Sequence, residues 1–246
     1  MQSYKMKKTI VISVGGSLLA PKEIDLRFIK EFRRFILSIK NAQFILVTGG
    51  GHVARDYQES AKQLGAKDKL SLDWVGIMAT RLNAELLRVC FGKNAHDKVI
   101  YNPNTYYNIN HNTNNTNKNK TNKKINKFKI LIAAGYLPGC STDYDAVLLA
   151  KTYKADMLIN LFNQDYVFDK DPRKYPDATP YPALTWSSYL KMTGEEWKPG
   201  LHVPFDPIAA KSAKKMKLKV ILANGNNLNN LKNIVTGNKF IGTVLQ

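Results

Sequence analysis

The chain is poor in cysteine, with only Cys90 and Cys140 among 246 residues. Two thiols are too few for a disulfide framework, and a reducing compartment, the cytoplasm, is the expected home. Long apolar runs are also missing. None reaches the roughly 20 residues that a membrane-crossing helix needs, and the N-terminal residues carry no apolar signal segment. The familiar phosphate loops are lacking, since neither G-x-x-x-x-G-K-[ST] nor G-x-G-x-x-G occurs. His52, His96, His111 and His202 have no metal-ligand spacing, which leaves them surface or structural roles and gives no metal-ligating residues. Acidic residues are scarce, 19 against 37 Lys and Arg, for a net charge of +18. Such an excess suits nucleic acid. Here it is divided among a low-complexity tract, the segment Lys211–Lys219 and several amphipathic stretches, without interleaved aromatic and basic repeats. A small anionic substrate accounts for it equally well, and neither nucleic acid nor membrane is expected as a partner. There is no internal repeat.

A hydrophobic content of 44% supports a sizeable core, enough for one α/β domain or two small ones. The most informative stretch is Val47-Thr48-Gly49-Gly50-Gly51-His52-Val53-Ala54-Arg55. An apolar run from Phe44 reads as a buried strand, three glycines follow, and a helical pattern begins. A strand that enters a helix through glycines presents unpaired N–H groups at the positive end of a helix dipole, an anion site. Arg55 lies about one turn in, placed to fork onto a phosphate or carboxylate. The structural alternative is a tight strand–helix turn with a surface arginine. A second turn of the same kind, Gly15-Gly16-Ser17, follows the strand-like run Thr9–Val14. Between the two turns, Ile24, Phe28, Phe32, Phe35, Ile36 and Ile39 repeat at helical spacing. The whole reads as a βαβ unit, with both glycine turns at the carboxyl edge of a parallel sheet, where ligands bind.

Further along, helices are predicted from His52 to Leu64, Leu70 to Phe91, Asp143 to Tyr153, Leu184 to Met192, Pro207 to Met216 and Leu228 to Val235. Strands are predicted at Val99–Tyr101, Phe128–Ala134, Ala155–Leu161 and Val220–Ala223, and Gly237–Leu245 reads as a turn and a final edge strand. Ser141, Thr142 or Asp143, and separately Asp206, are positioned as N-caps. Asn102–Lys127 is dominated by Asn, Lys, Thr and Tyr and is too poor in aliphatic residues to offset its ordering entropy. It is expected to be a disordered surface insertion within a single domain, residues 1–246. The long segment from Asn163 to Pro182 is expected to be functional or disordered.

Six motifs stand in order along the chain: Gly15-Gly16-Ser17; Gly49-Gly50-Gly51-x-x-Ala54-Arg55; Asp73-Trp74-x-Gly76-x-x-x-Thr80-Arg81; Pro138-Gly139-x-Ser141-Thr142-Asp143; Asn163-x-Asp165-x-Val167-Phe168-x-x-Asp171-Pro172; and Asp206-Pro207-x-Ala209-Ala210-Lys211. In this respect the chain resembles the amino acid kinase superfamily, and within it the UMP kinases of the archaeal-like type. The resemblance implies a three-layer α/β/α sandwich with a mainly parallel central sheet, the phosphate acceptor in the N-terminal half and ATP in the C-terminal half. It also implies transfer of the ATP γ-phosphate to UMP, with Mg²⁺ accompanying ATP, and a homo-oligomer, dimer or hexamer. On this resemblance Gly49, Gly50 and Arg55 take the acceptor phosphate, Asp73 the ribose hydroxyls, and Thr142 the acceptor side. Gly15, Gly16 and Ser17 cradle the transferred phosphate, Gly16 also touching ATP. Asn163, Phe168 and Asp171 hold the adenosine, and Asp143 orients catalytic groups or the metal.

The chain departs from that pattern in three places. Many relatives carry a lysine two residues before the first glycine turn, where Ser13 stands here, and Lys211 or Lys170 is the candidate replacement cation. Tyr166 replaces a glycine, and Tyr144-Asp145 replaces small apolar residues. Alternatives from the same fold act on another small anion, such as isopentenyl phosphate, which His52 keeps open, or an acylated amino acid. A non-catalytic nucleotide sensor is an alternative of another class.

Overall fold

The computed structural model describes residues 8–107, 129–194 and 203–246. In chain order the elements are β1 (Lys8–Val14), α1 (Gly16–Leu19), α2 (Leu26–Ser38), β2 (Ala42–Thr48), α3 (Gly51–Gln63), α4 (Lys69–Phe91), β3 (Ile130–Ala133), α5 (Thr142–Thr152) and β4 (Met157–Phe162). The second half continues with β5 (Val167–Phe168), β6 (Pro180–Tyr181), β7 (Ala183–Leu184), α6 (Trp186–Thr193), α7 (Pro207–Lys215), β8 (Val220–Asn224), α8 (Leu228–Thr236) and β9 (Thr243–Leu245). Seven strands form one sheet in the order β3-β2-β1-β4-β8-β9-β7. Every pairing is parallel except β8 with β9.

The central strands read as continuous apolar runs because both faces of the sheet are covered. Ile10, Ile12 and Val14 face a layer of α2, α4 and α8. Val11, Ile45, Val47 and Leu131 face α5, α6 and α7. This is the expected three-layer sandwich. The apolar period of α2 buries Phe28, Ile29, Phe32, Phe35 and Ile36, and Asp25 caps the helix on the Phe28 amide at 2.8 Å. Ser141 caps α5 through the Tyr144 amide at 3.1 Å. Asp206 caps α7 through the Ile208 amide at 2.8 Å, with Pro207 in the first turn, where its missing N–H costs nothing.

Four expectations change. The strand at the C-terminus is not an edge, because the two-residue β7 pairs outside β9 and is too short to leave a period-2 signal. Val99–Tyr101 contributes a single bridge, Ile100 to Ala133, rather than a strand. The segment after Asn163 folds back as an antiparallel ribbon, β5 on β6. Six residues at the start of the Asn-rich tract are built into the fold. Thr105 N–H donates to Asn102 O, Thr152 Oγ1 donates to Pro103 O at 2.7 Å, and Tyr107 N–H donates to the Tyr153 hydroxyl at 2.8 Å. The rest of that tract, with His111, and also His202, lies outside the described residues.

Candidate active site

The two glycine turns meet at the carboxyl edge of β1 and β2. A Cβ on Gly16 would lie 2.0 Å from the Gly51 amide nitrogen, and one on Gly49 would lie 2.4 Å from the Gly16 nitrogen. Gly51 also adopts φ +68°, which a side chain would resist. Gly49 N–H donates to Val14 O at 3.0 Å and His52 N–H to Ala20 O at 3.0 Å, which locks one turn to the other. The first hydrogen bond of α1 runs from the Leu18 amide to Gly15 O at 2.9 Å, so the amides of Gly16 and Ser17 precede its ladder. Ser17 itself is exposed.

On the side where the acceptor is expected, Gly50, Asp73 and Thr142 line one cleft of about 230 Å³, together with Ala54, Thr80 and Gly139. Gly49 is buried behind it against Gly16. Arg55 follows Ala54 on α3, is exposed, and makes no hydrogen bond or ion pair among the described residues. His52, which left other acceptors open, is engaged one turn on by Asp56, with Nδ1 and Oδ2 2.5 Å apart. Asp73 accepts from the Gly139 amide at 2.9 Å.

Among the residues that hold this cleft together, Thr80 and Arg81 stood in a quoted motif without an assigned role, and Asn83 was missed. Asn83 Nδ2 donates to Gly49 O at 2.8 Å, fixing the triple glycine from α4. Thr48 Oγ1 donates to Thr80 O at 2.9 Å, and Thr80 Oγ1 accepts from the Gly135 amide at 2.8 Å. The available signal for Asn83 was a polar residue three on from Thr80, on an otherwise apolar buried face of α4. Arg81 reaches Gly135 O at 3.4 Å and Tyr136 O at 3.2 Å, with its guanidinium over the Tyr101 and Trp74 rings.

A chain of polar groups sits behind the first glycine turn. Ser13 and Asn160 are register partners on β1 and β4, facing α5 and α7. Asn160 Nδ2 donates to Pro204 O at 2.8 Å, and Ser13 Oγ donates to Asp143 Oδ1 at 3.1 Å. The other oxygen of Asp143 accepts from the Asp206 amide at 3.2 Å, and the Ser141 hydroxyl donates to the Asp206 carboxylate. Burial, with the Asp206 charge adding to it, pushes the Asp143 carboxyl up to about 7. Asp145, fully enclosed, is pushed up to about 7 by burial and the charge of Asp143. Lys211 lies half-buried on α7, one turn beyond Asp206.

The expected adenosine residues are spread along the β4–β5 segment. Asn163 is exposed, and Phe168 on β5 meets Tyr166 edge-on at 6.3 Å between ring centres. Asp171 is gripped by Arg173, with Nε and Nη2 each 3.0 Å from a carboxylate oxygen, and those bonds hold its carboxyl below the usual range. A ligand hydroxyl there competes with Arg173. Lys170 pairs with Asp177 at 2.6 Å in the segment between β5 and β6. A cavity of about 620 Å³ between α2 and the β8–α8 turn is lined by none of these residues.

The sequence profile of the Amino acid kinase family matches residues 8–224. A uridylate kinase of Thermoplasma volcanium is 34% identical over 242 residues, covering 98% of this chain and 99% of that protein. A uridylate kinase of Methanobrevibacter smithii is 33% identical over 236 residues, 95% of this chain and 97% of the other. Among solved structures, the uridylate kinase from Archaeoglobus fulgidus superposes with a TM-score of 0.76 at 31% identity, over 97% of this chain and 100% of that one. With a profile that spans the glycine turns, the cleft beside Gly50 and the β4 segment, and with relatives that match nearly end to end, the chain belongs to the amino acid kinase family.

Proposed function

We propose that this protein transfers the γ-phosphate of ATP to UMP, giving UDP and ADP. The observation that carries this reading is the backbone contact between the two glycine turns. It supports a phosphate path between the cleft lined by Gly50, Asp73 and Thr142 and the β4 segment. The uridylate kinases of T. volcanium and A. fulgidus, similar over almost their whole length, support UMP as acceptor.

The reaction needs no catalytic base. A phosphate oxygen of UMP, already anionic, attacks the γ-phosphorus in line, the bond to the β-bridging oxygen breaks, and ADP leaves. The protein aligns the two nucleotides and meets the charge that spreads over the transferred group. In this reading the amides of Gly16 and Ser17 face that group, Arg55 holds the acceptor phosphate, Asp73 holds the ribose, and Lys211 supplies the cation that Ser13 does not. Asn163, Phe168 and Asp171 take the adenosine. Magnesium, bound with ATP, would supply further neutralisation. No cluster of three His, Cys, Asp or Glu among the described residues is arranged to cage a metal. The oxygens of Asp143 already accept from Ser13 and the Asp206 amide. This donor set fits an ion carried mainly by phosphates and water, with Asp143 as the orienting carboxylate. Among the described residues no helix is long and apolar enough to cross a membrane, and a cytoplasmic site of action is part of the proposal.

The test is ADP release with ATP and Mg²⁺ against UMP, CMP, AMP, GMP, isopentenyl phosphate and N-acetylglutamate. Turnover with UMP well above the others is expected. Turnover with another acceptor moves the specificity, and ATP binding without any turnover overturns the assignment in favour of a sensor.

A further inference from the structure

The acceptor cleft is walled on one side by the loop between β3 and α5, which contributes Gly135, Gly139 and Cys140. Several bonds from α4 hold this loop. Thr80 Oγ1 takes the Gly135 amide at 2.8 Å, Arg81 holds the Gly135 and Tyr136 carbonyls, and Asp73 takes the Gly139 amide at 2.9 Å. The contact from α5 is different in kind. Asp145 is fully buried and accepts the Tyr136 amide on Oδ2 at 3.1 Å. Its other oxygen, Oδ1, has no partner among the described residues. Burying a carboxylate with an unmet oxygen costs stability, so an apolar side chain at this helix position would suit the core better. Asp145 is also one turn from Thr142 and two residues from Asp143, on the same helix.

We infer that Asp145 is a positioning residue for the acceptor: by gripping the Tyr136 amide from α5, it fixes the 135–140 wall relative to Thr142 and thereby sets the width of the acceptor cleft. Without that grip, the side-chain bonds to the wall described above come from α4, and the wall is less firmly set relative to Thr142. The ATP side, built on the β4 segment, does not share the contact. This inference rests on the proposed function for the identity of the acceptor.

The experiment compares Asp145→Ala, Asp145→Asn and wild type. Three quantities are read: the KM of UMP and of ATP, the affinities for UMP and for a non-hydrolysable ATP analogue, and amide exchange in the 135–141 segment. Asn keeps an acceptor oxygen in nearly the same shape. For Asp145→Ala the KM and Kd of UMP rise about tenfold, as expected for one lost hydrogen bond in a positioning network, while those of ATP stay within about twofold. Exchange across 135–141 accelerates. Asp145→Asn restores both to within about threefold of wild type. If the alanine variant does not fold, Asp145→Leu, which fills the space without an acceptor oxygen, is read in its place. Equal rises for UMP and ATP, an unchanged acceptor KM, or no rescue by Asn overturns the inference. Should wild type bind no UMP, the proposed function fails. The exchange measurement then decides the inference separately: faster exchange in alanine with rescue by Asn supports the grip, and unchanged exchange sinks it.

Discussion

Ser13 donates its hydroxyl to Asp143 Oδ1 at 3.1 Å, joining the last turns of β1 to the start of α5 across 130 residues of chain. The hydroxyl is neutral, so Ser13 ties β1 to α5 without bringing a positive charge to the glycine turn. Ser13→Ala is expected to lower unfolding stability by roughly 1–3 kcal/mol, the range for a lost bond to a charged or polar buried acceptor, as read by urea unfolding. Ser13→Lys is expected to raise kcat with both KM values unchanged. A well-folded lysine variant with lower kcat would show that the hydroxyl itself is required.

Asp143 and Asp145 make stability fall with rising pH. Their carboxyls sit at about 7 in the folded protein, against the ordinary value near 4 in the unfolded chain. Between those limits the folded state holds more protons than the unfolded one, so the contribution present below about pH 4 is lost as pH rises through about 7. The difference in unfolding free energy between wild type and Asp143→Asn, followed across that window, is expected to shift against wild type as pH rises. A difference that is flat with pH would contradict the burial of the Asp143 carboxylate.

Gly16→Ala places a methyl 2.0 Å from the Gly51 nitrogen, a backbone atom that cannot swing away. A loss of at least about 1–3 kcal/mol of stability is expected from the overpacking, with turnover falling further than stability alone explains. Thermal unfolding and kcat on the same preparation check this. Normal activity would mean that the two turns part readily.

Arg55 is exposed and without a partner among the described residues, so its replacement leaves nothing unpaired behind. Arg55→Ala is expected to raise the KM of UMP by about ten- to a hundredfold, the value of a charge-assisted bond, with little change for ATP. Equal loss on both substrates would remove Arg55 from the acceptor side.

Leu70, Trp74, Met78, Leu82 and Val89 form an exposed apolar stripe on α4, flanked by Tyr57 and Leu64 at α3. Contiguous exposed apolar surface of this kind marks association, and a homo-oligomer joined through this face is expected. Sedimentation should show wild type larger than a monomer and Leu82→Glu reduced to one; a monomeric wild type would refute the assembly.

Strong periodic signals carried the architecture into view from sequence. The apolar face of α2, the buried runs of β1, β2, β4 and β8, and the caps Ser141 and Asp206 are all where local chemistry put them. The glycine turns were legible because nothing larger fits between Gly16 and Gly51. What could not be read depends on partners distant in the chain. β7 exists only as two residues beside β9, and Asn83 earns notice only once Gly49 is seen above it. Asp145 read as an extra carboxylate near the site, and its bond to the Tyr136 amide is tertiary information.

The closeness of the two glycine turns also bears on how such a protein changes over time. The contact between the turns is drawn by main-chain atoms, which mutation cannot exchange, while the neighbouring cleft is walled in part by side chains such as Asp73, Thr80 and Thr142. Substitutions in the walls can therefore reshape the cleft without moving the two turns apart. The part of this edge least open to substitution is the part with the fewest side chains.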